Sequence, residues 1–414
     1  MKGKEPVWFA AMAGCALAMG PGCSGGSDLA AGMDASPASA PHADAATETG
    51  NLEAATVVPS SGGDAARADD GDAGHDHNAP EAERKPDGGT ALDASFTEAG
   101  SSGPDGSDEC KATIALPLSG AFLQLTNAYA PAFWKGAVDQ MRQAGMSTAI
   151  IQTVAYAGAN GSATNVNPSV IEMVLDEADV VGIDVYIGLR LEMGNGSASA
   201  AANAGTVNGW IANARTSADA IAASYGAHPA FAGWYLPMEG WTPARAGELG
   251  SLPSYYSAVS AYCKTKKNVP VAISPFISSG ALAQSGAPSL TTSTYTAILA
   301  ASSIDVVMLQ DGTGALPIAP AAVGSSIPPF MAAMKSACAA NHVELWANAE
   351  AFEHDFSTPT TLDRLKAQLA AASASAVRAV TFEFSSYWDG AGPGGVAAAS
   401  LFNGYVQARQ GCAP

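Results

Sequence analysis

Two glutamates stand at the ends of short apolar runs, Glu239 after Gly233-Trp234-Tyr235-Leu236-Pro237-Met238 and Glu350 after Leu345-Trp346-Ala347-Asn348-Ala349. A carboxyl at the C-terminal end of a parallel strand emerges at the rim of a barrel, where such folds place their chemistry. Two carboxyls facing each other are what glycosidic cleavage requires. One protonates the leaving oxygen, and the other attacks or stabilises the oxocarbenium-like centre. Retaining enzymes hold the pair about 5–5.5 Å apart and inverting ones about 6.5–9.5 Å. Burial and like-charge repulsion keep one member protonated near neutral pH. Glu239 and Glu350 are the candidate catalytic pair, with Glu353 the rival for the role of Glu350. The structural alternative is that a carboxyl merely pairs with Arg190 or Arg245. Asp311 and Glu383 are the candidate bases if the barrel runs an unrelated reaction.

Other residues near predicted strand ends suit sugar binding. Gln124, Gln152, Gln310 and Asn348 offer amides that can donate to carboxylates or hydroxyls. Arg190 and Glu192 follow the third strand. Sugars present apolar faces that stack on aromatic rings, which makes Tyr129, Tyr156, Trp241, Tyr387 and Trp388 candidate subsite walls. Trp134, Trp210, Trp234 and Trp346 read as core. His228 and His342 precede strands and read as structural. No Gly-x-Ser-x-Gly elbow, dinucleotide fingerprint or Walker sequence is present. Histidines do not cluster at strand ends, so neither a metal nor a cofactor is expected.

Eight strands must position these residues: 120–125, 148–156, 184–191, 231–239, 270–276, 305–311, 343–350 and 379–387. Helices are predicted between and after them at 131–144, 168–181, 206–225, 255–266, 294–301, 328–340, 360–374 and 396–409. Several start on Pro or a Ser/Thr cap. Strict alternation implies parallel strands with crossover helices, and eight units imply a closed (β/α)8 TIM barrel without edge strands. Side chains two apart share a strand face. On strand eight, Val380, Phe382 and Phe384 suit the helix layer, which turns Ala379, Thr381, Glu383 and Ser385 to the axis. Gln124, Gln152, Glu239, Gln310, Glu350 and Glu383 then ring the barrel mouth.

The remaining sequence surrounds this domain. The chain has 414 residues and a formal charge of −19. Residues 24–109 hold 18 acids against Arg67, Arg84 and Lys85, a net −15, whereas residues 110–414 are only mildly acidic. Nothing here would neutralise phosphates, so nucleic acid is excluded as a partner. Residues 24–109 are rich in Ala, Gly, Asp, Ser and Pro, cannot bury enough apolar surface to order, and read as a disordered tether spanning about 50 Å. Within it, Gly74-His75-Asp76-His77 reads as a solvated patch. Residues 1–23 read as an export signal, with Lys2 and Lys4 before an apolar stretch too short to span a bilayer. Cys23, before Ser24-Gly25-Gly26, resembles the acylated cysteine of a bacterial lipoprotein, so the only membrane contact expected is an N-terminal lipid anchor. The location implied is the cell envelope, as an outer-membrane lipoprotein, or the extracellular space. In an oxidising compartment four further cysteines suggest disulfides. Cys110 and Cys412 bracket the barrel and are the favoured bridge, leaving Cys263 and Cys338 as the weaker second pair. The barrel at 110–414 reads as a monomer acting on a carbohydrate. The alternative is a non-catalytic surface lipoprotein that binds glycan in the same cleft.

One resemblance adds to this reading. Gly120-Ala121-Phe122-Leu123-Gln124-Leu125, Ile150-Ile151-Gln152-Thr153 and His228-Pro229-Ala230-Phe231-Ala232-Gly233-Trp234-Tyr235-Leu236-Pro237-Met238-Glu239 resemble a bacterial family, domain of unknown function 4434. Ile273-Ser274-Pro275-Phe276, Leu309-Gln310-Asp311-Gly312 and Leu345-Trp346-Ala347-Asn348-Ala349-Glu350 do so too. The resemblance covers Leu118 to Trp388 and implies a glycoside-hydrolase-like TIM barrel. The acids on strands four and seven are also similar to those of clan A retaining glycosidases. That implies acid/base chemistry at Glu239 and a nucleophile at Glu350, although Met238 stands where that clan usually has Asn.

Overall fold

A computed structural model describes residues 114–157, 163–192 and 201–411. Cys23, Cys110, Cys412, the expected signal and the expected tether lie outside the described residues. Eight strands close a parallel barrel: β1 (Leu118–Leu123), β2 (Thr148–Ile151), β3 (Asp184–Gly188), β4 (Phe231–Leu236), β5 (Val271–Ile273), β6 (Val306–Gln310), β7 (Glu344–Glu350) and β8 (Arg378–Phe382). Each pairs with the next in sequence, and β1 closes on β8. A long helix follows each strand: α1 (Pro131–Gln143), α2 (Pro168–Val181), α3 (Ala204–Tyr225), α4 (Leu252–Lys266), α5 (Ala287–Ala300), α6 (Pro328–Ala339), α7 (Leu362–Ala372) and α8 (Gly395–Arg409).

The helix starts have local causes. Proline occupies the first turn of α1, α2, α4, α5 and α6, where its missing N–H costs nothing. Asn167, Asn203 and Thr361 accept backbone N–H groups at the starts of α2, α3 and α7. Helix α5 begins at Ala287 rather than at Thr294, because Pro288 already sets its first turn.

Side chains fill the barrel in layers. Phe122 on β1 meets Tyr235 on β4 edge-on at 5.2 Å. These strands are not neighbours, so the contact crosses the axis. Tyr186 on β3 and Trp346 on β7 cross it in the same way at 5.9 Å. Gly233 makes room for that layer, since a Cβ there would lie 2.3 Å from the Tyr186 ring. Phe382 packs on Phe122 at 5.6 Å and therefore also faces the interior. This reverses the expected phase of β8: Val380 and Phe382 point to the axis, and Ala379 and Thr381 do not. Apolar character could not distinguish the faces, because both sides of a barrel strand are buried.

Seven of the eight predicted strands end earlier than expected, and after two of them the chain takes up a different structure. The chain leaves the barrel after Ile151, where the Thr153 hydroxyl lies 2.6 Å from the carbonyls of both Ala155 and Leu189 and accepts the Leu191 N–H at 3.1 Å. Ala155–Ala157 then joins Ala163–Asn165 and Leu191–Glu192 in a separate three-stranded sheet. Beyond β8, residues 384–387 form a short helix instead of more strand. Cys263 on α4 and Cys338 on α6 are buried free thiols, so the second bridge does not form. Burial pushes both thiols up to about 12. His228 ties the base of the barrel, with Nε2 3.2 Å from Asp176 Oδ1 and Nδ1 accepting the Ala230 N–H.

Candidate functional site

The C-terminal ends of β4, β6 and β7 bring Glu239, Gln310, Asp311 and Glu350 together. Glu239 follows β4 and keeps part of its surface open. Its Oε1 accepts a hydrogen bond from Gln310 Nε2 at 3.1 Å, and the same amide donates to the Ser274 carbonyl at 2.8 Å. Burial pushes the Glu239 carboxyl up to about 7, opposed by the Gln310 bond. The backbone beside it is clamped from outside the barrel. Tyr256 on α4 donates to the Met238 carbonyl at 2.7 Å, and Tyr295 on α5 donates to the Trp241 carbonyl at 3.2 Å. Gly240 lets both hydroxyls approach, since a Cβ there would lie 2.9 Å from each.

Glu350, the last residue of β7, is buried. Its Oε2 accepts N–H groups from Gly314 and Ala315 at 2.7 Å each. Burial raises its pKa first, and then the charges of Asp311 and Glu239, while the two N–H groups lower it.

The turn 311–315 supplies those N–H groups and has its own support. Asp311 Oδ1 accepts the Thr313 N–H and hydroxyl at 3.0 and 2.9 Å. Gln368 Nε2 on α7 donates to Asp311 Oδ2 at 2.8 Å and to the Glu350 carbonyl at 3.0 Å, and lies against the Thr313 hydroxyl. Arg364 on α7 donates to the Thr313 carbonyl and forms an ion pair with Glu353. Gly312 has φ +70° and Gly314 packs against Phe352, where a Cβ would lie 2.6 Å from the carbonyl oxygen. Sequence reading missed Arg364, Gln368, Thr313 and Gly314. Thr313 and Gly314 carry only the signal of a turn after a strand, and Arg364 and Gln368, on α7, carry none that marks them as reaching the mouth.

The other predicted site residues separate into groups. Gln124 Nε2 donates to Gln152 Oε1 at 2.9 Å, so these two amides satisfy each other instead of the glutamates. Asn348 is fully buried and donates to the Ser274 hydroxyl at 3.1 Å. Arg190 is bound to Glu192, with Nε 2.9 Å from Oε1. Glu353 is held by Arg364 and by the Thr360 hydroxyl at 3.0 Å, which is the structural fate for a carboxyl rather than the nucleophile's. Glu383 caps the short helix after β8, accepting the N–H groups of Ser385 and Ser386 at 2.9 and 2.7 Å. Both Asp311 and Glu383 thus spend their oxygens on their own turns, which opposes the reading of either as a general base.

The aromatic assignments change most. Trp241 and Trp388 have no exposed surface. Trp241 lies over Phe276 at 6.3 Å, and Trp388 packs edge-on against Tyr405 of α8 at 5.3 Å. Neither offers an open face to a sugar. Tyr387 is also buried, stacked on Phe352 at 5.2 Å, with its hydroxyl donating to the Phe356 carbonyl at 2.9 Å. Tyr156 is buried with its hydroxyl 3.3 Å from the Leu125 carbonyl. Tyr129 remains half-buried and stacks on Phe133 at 4.3 Å. Phe276, unnoticed in the sequence, is half-buried and bridges by backbone to both Trp241 and Gln310, one residue from each side of the acid's support.

Closure of eight parallel strands with helices outside, and carboxyls grouped at the C-terminal mouth, defines a (β/α)8 barrel. The chain belongs to the family described as domain of unknown function 4434, whose profile matches residues 118–394. No curated protein matches the sequence. Among solved structures, a Bacteroides thetaiotaomicron protein provisionally described as an alpha-L-fucosidase is 20% identical with a TM-score of 0.58. That match covers 76% of this chain and 99% of that one, and it shows the shared fold. An endo-beta-1,4-mannanase from Thermotoga petrophila is similar at 11% identity and TM-score 0.47, over 72% of this chain and 78% of that one. A family 39 glycoside hydrolase from Bacteroides cellulosilyticus is similar at 12% identity and TM-score 0.46, over 71% and 64% respectively.

Proposed function

We propose that the protein is an exported glycoside hydrolase, tethered through Cys23, that acts on an oligo- or polysaccharide. The observation that carries this reading is the placement of Glu239 and Glu350 at the C-terminal ends of β4 and β7, with burial raising both carboxyls and the Glu239 charge adding to the rise at Glu350. Glu239, held near 7, is the acid/base: it carries a proton for the leaving oxygen at neutral pH and can take one back from water. Glu350 is the nucleophile. Burial and the Asp311 charge push its carboxyl up to about 8, the Gly314 and Ala315 N–H groups on Oε2 pull the other way, and Oε1 is left for the sugar carbon once the proton is lost. Half-buried Phe276, whose backbone bridges to Gln310, is the candidate aromatic surface for the sugar. Purified full-length protein, screened against a polysaccharide panel, is expected to release reducing ends from one class of polymer. Glu239→Gln and Glu350→Gln should abolish that release while leaving the fold intact. Full activity in both variants overturns the assignment. Binding of the polymer without any release identifies a glycan-binding protein instead.

A further inference from the structure

Gln310, the last residue of β6, is clamped to the segment that follows β5. Its N–H donates to the Pro275 carbonyl at 2.8 Å, and its carbonyl accepts the Ile277 N–H at 3.2 Å. Its side-chain Nε2 donates to the Ser274 carbonyl at 2.8 Å. Ser274 is fixed in turn, since its hydroxyl donates to the Met308 carbonyl on β6 at 2.7 Å and accepts from Asn348 on β7 at 3.1 Å. Gln310, Ser274 and Asn348 are all buried. The second hydrogen of Nε2 goes to Glu239 Oε1 at 3.1 Å, and Glu239 Oε2 makes no hydrogen bond to any described residue.

The Ser274 carbonyl dictates what this amide can do. A backbone carbonyl only accepts. Turning the amide over would set its oxygen against that carbonyl, lone pair to lone pair, so the nitrogen stays where it is. Nε2 has no lone pair to offer and can only donate. Glu239 Oε1 must therefore accept, whether the carboxyl is charged or neutral. In a neutral carboxyl the C=O oxygen is the better acceptor, so Oε1 is the C=O and the hydrogen sits on the other oxygen.

Resting on the glycosidase reading, we infer that Gln310 is the positioning residue of the acid: its locked amide holds Glu239 Oε1 as an acceptor and confines the transferable proton to Oε2. A general acid works only within hydrogen-bond reach of the leaving oxygen, and a proton on the wrong oxygen is lost to the reaction. After transfer the same N–H steadies the carboxylate, and it opposes burial in setting the Glu239 carboxyl near 7. Tyr235 on β4, Tyr256 on α4 and Glu350 on β7 also lie in the field of Glu239. Burial holds both tyrosines neutral, the Tyr256 hydroxyl is spent on the Met238 carbonyl, and Glu350 repels, so none of the three takes the place of Gln310.

The test reads the carboxyl itself. The C=O stretch of a protonated carboxyl falls in frequency when its carbonyl oxygen accepts a hydrogen bond. Difference infrared spectra of the full-length protein between pH 5 and pH 9 identify the Glu239 band as the one missing from Glu239→Gln. The wild-type band is expected at the frequency of a hydrogen-bonded C=O. Gln310→Met keeps the reach of the side chain without the donor. Its band should move to higher frequency, and the titration midpoint should rise by about one pH unit. On a polymer that the wild type cleaves, Gln310→Met should lose about 10-fold or more in kcat at pH 7 with a smaller change in KM, and its alkaline limb should move up with the infrared midpoint. A wild-type band at the frequency of an unbonded C=O overturns the inference whether or not the variant folds. So does a natively folded Gln310→Met whose band and midpoint match the wild type. Polymer cleavage by the wild type beside either result leaves the glycosidase reading standing. The expected infrared result with no polymer cleaved overturns that reading but not the place of the proton.

Discussion

Glu239→Gln should make the protein more stable at pH 8 while abolishing its proposed activity. The wild-type carboxyl is raised from an ordinary 4.5 to about 7, first by burial, and no cation offsets the loss of hydration. Between those two values the folded state holds a proton that the unfolded chain has released. Stability therefore falls as pH rises through that window and levels off above about 7. At about 1.4 kcal/mol per unit, the buried charge costs the fold about 3 kcal/mol at pH 8 and less than about 1 kcal/mol at pH 5. Glutamine has the same shape and keeps an acceptor for the Gln310 amide, now 3.1 Å away. It therefore removes the charge without opening a cavity. Removing that charge also relieves Glu350, which feels it. Urea unfolding of wild type and variant at pH 5 and pH 8 measures the difference. We expect a gain of about 2–3 kcal/mol at pH 8, or about 1 M in the urea midpoint, that shrinks towards zero at pH 5. A gain equal at both pH values, or a less stable variant at pH 8, would refute the electrostatic reasoning.

Two further outcomes follow from packing. Gly314→Ala drives a Cβ to 2.6 Å from the Phe352 carbonyl oxygen and under 3 Å from its ring. It should cost about 1–3 kcal/mol and shift one of the N–H groups that anchor Glu350, which thermal melting and the activity assay would register together. Cys263 and Cys338 are buried free thiols. Mass mapping after brief alkylation of the native protein should find both unmodified, and both modified once it is unfolded.

Much of the barrel can be read from residue order alone. Alternating β-rich and helical runs, proline in the first turns and Asn or Thr caps are local signals. The helix at Pro168–Val181 is observed with the bounds its sequence implies. Glu239 and Glu350 were legible as candidates because a strand's C-terminal end is a place defined by sequence position. The Glu239–Gln310 bond also realises the expectation that glutamines would serve the buried carboxyls.

Other features depend on which elements close over one another. The phase of β8 is invisible in sequence, because both faces of a barrel strand are buried and Val380, Thr381 and Phe382 fit either side. Trp241 and Trp388 look like sugar platforms until Phe276 and Tyr405 cover them. Glu353 resembles a rival nucleophile until Arg364, 11 residues further on, reaches back to it. Local order in the chain determined the strands, the helices and the pair of acids. The tertiary structure alone decided which carboxyl would be anchored by N–H groups, which would be paired with an arginine and which would be buried, because desolvation and hydrogen bonding depend on neighbours distant in sequence.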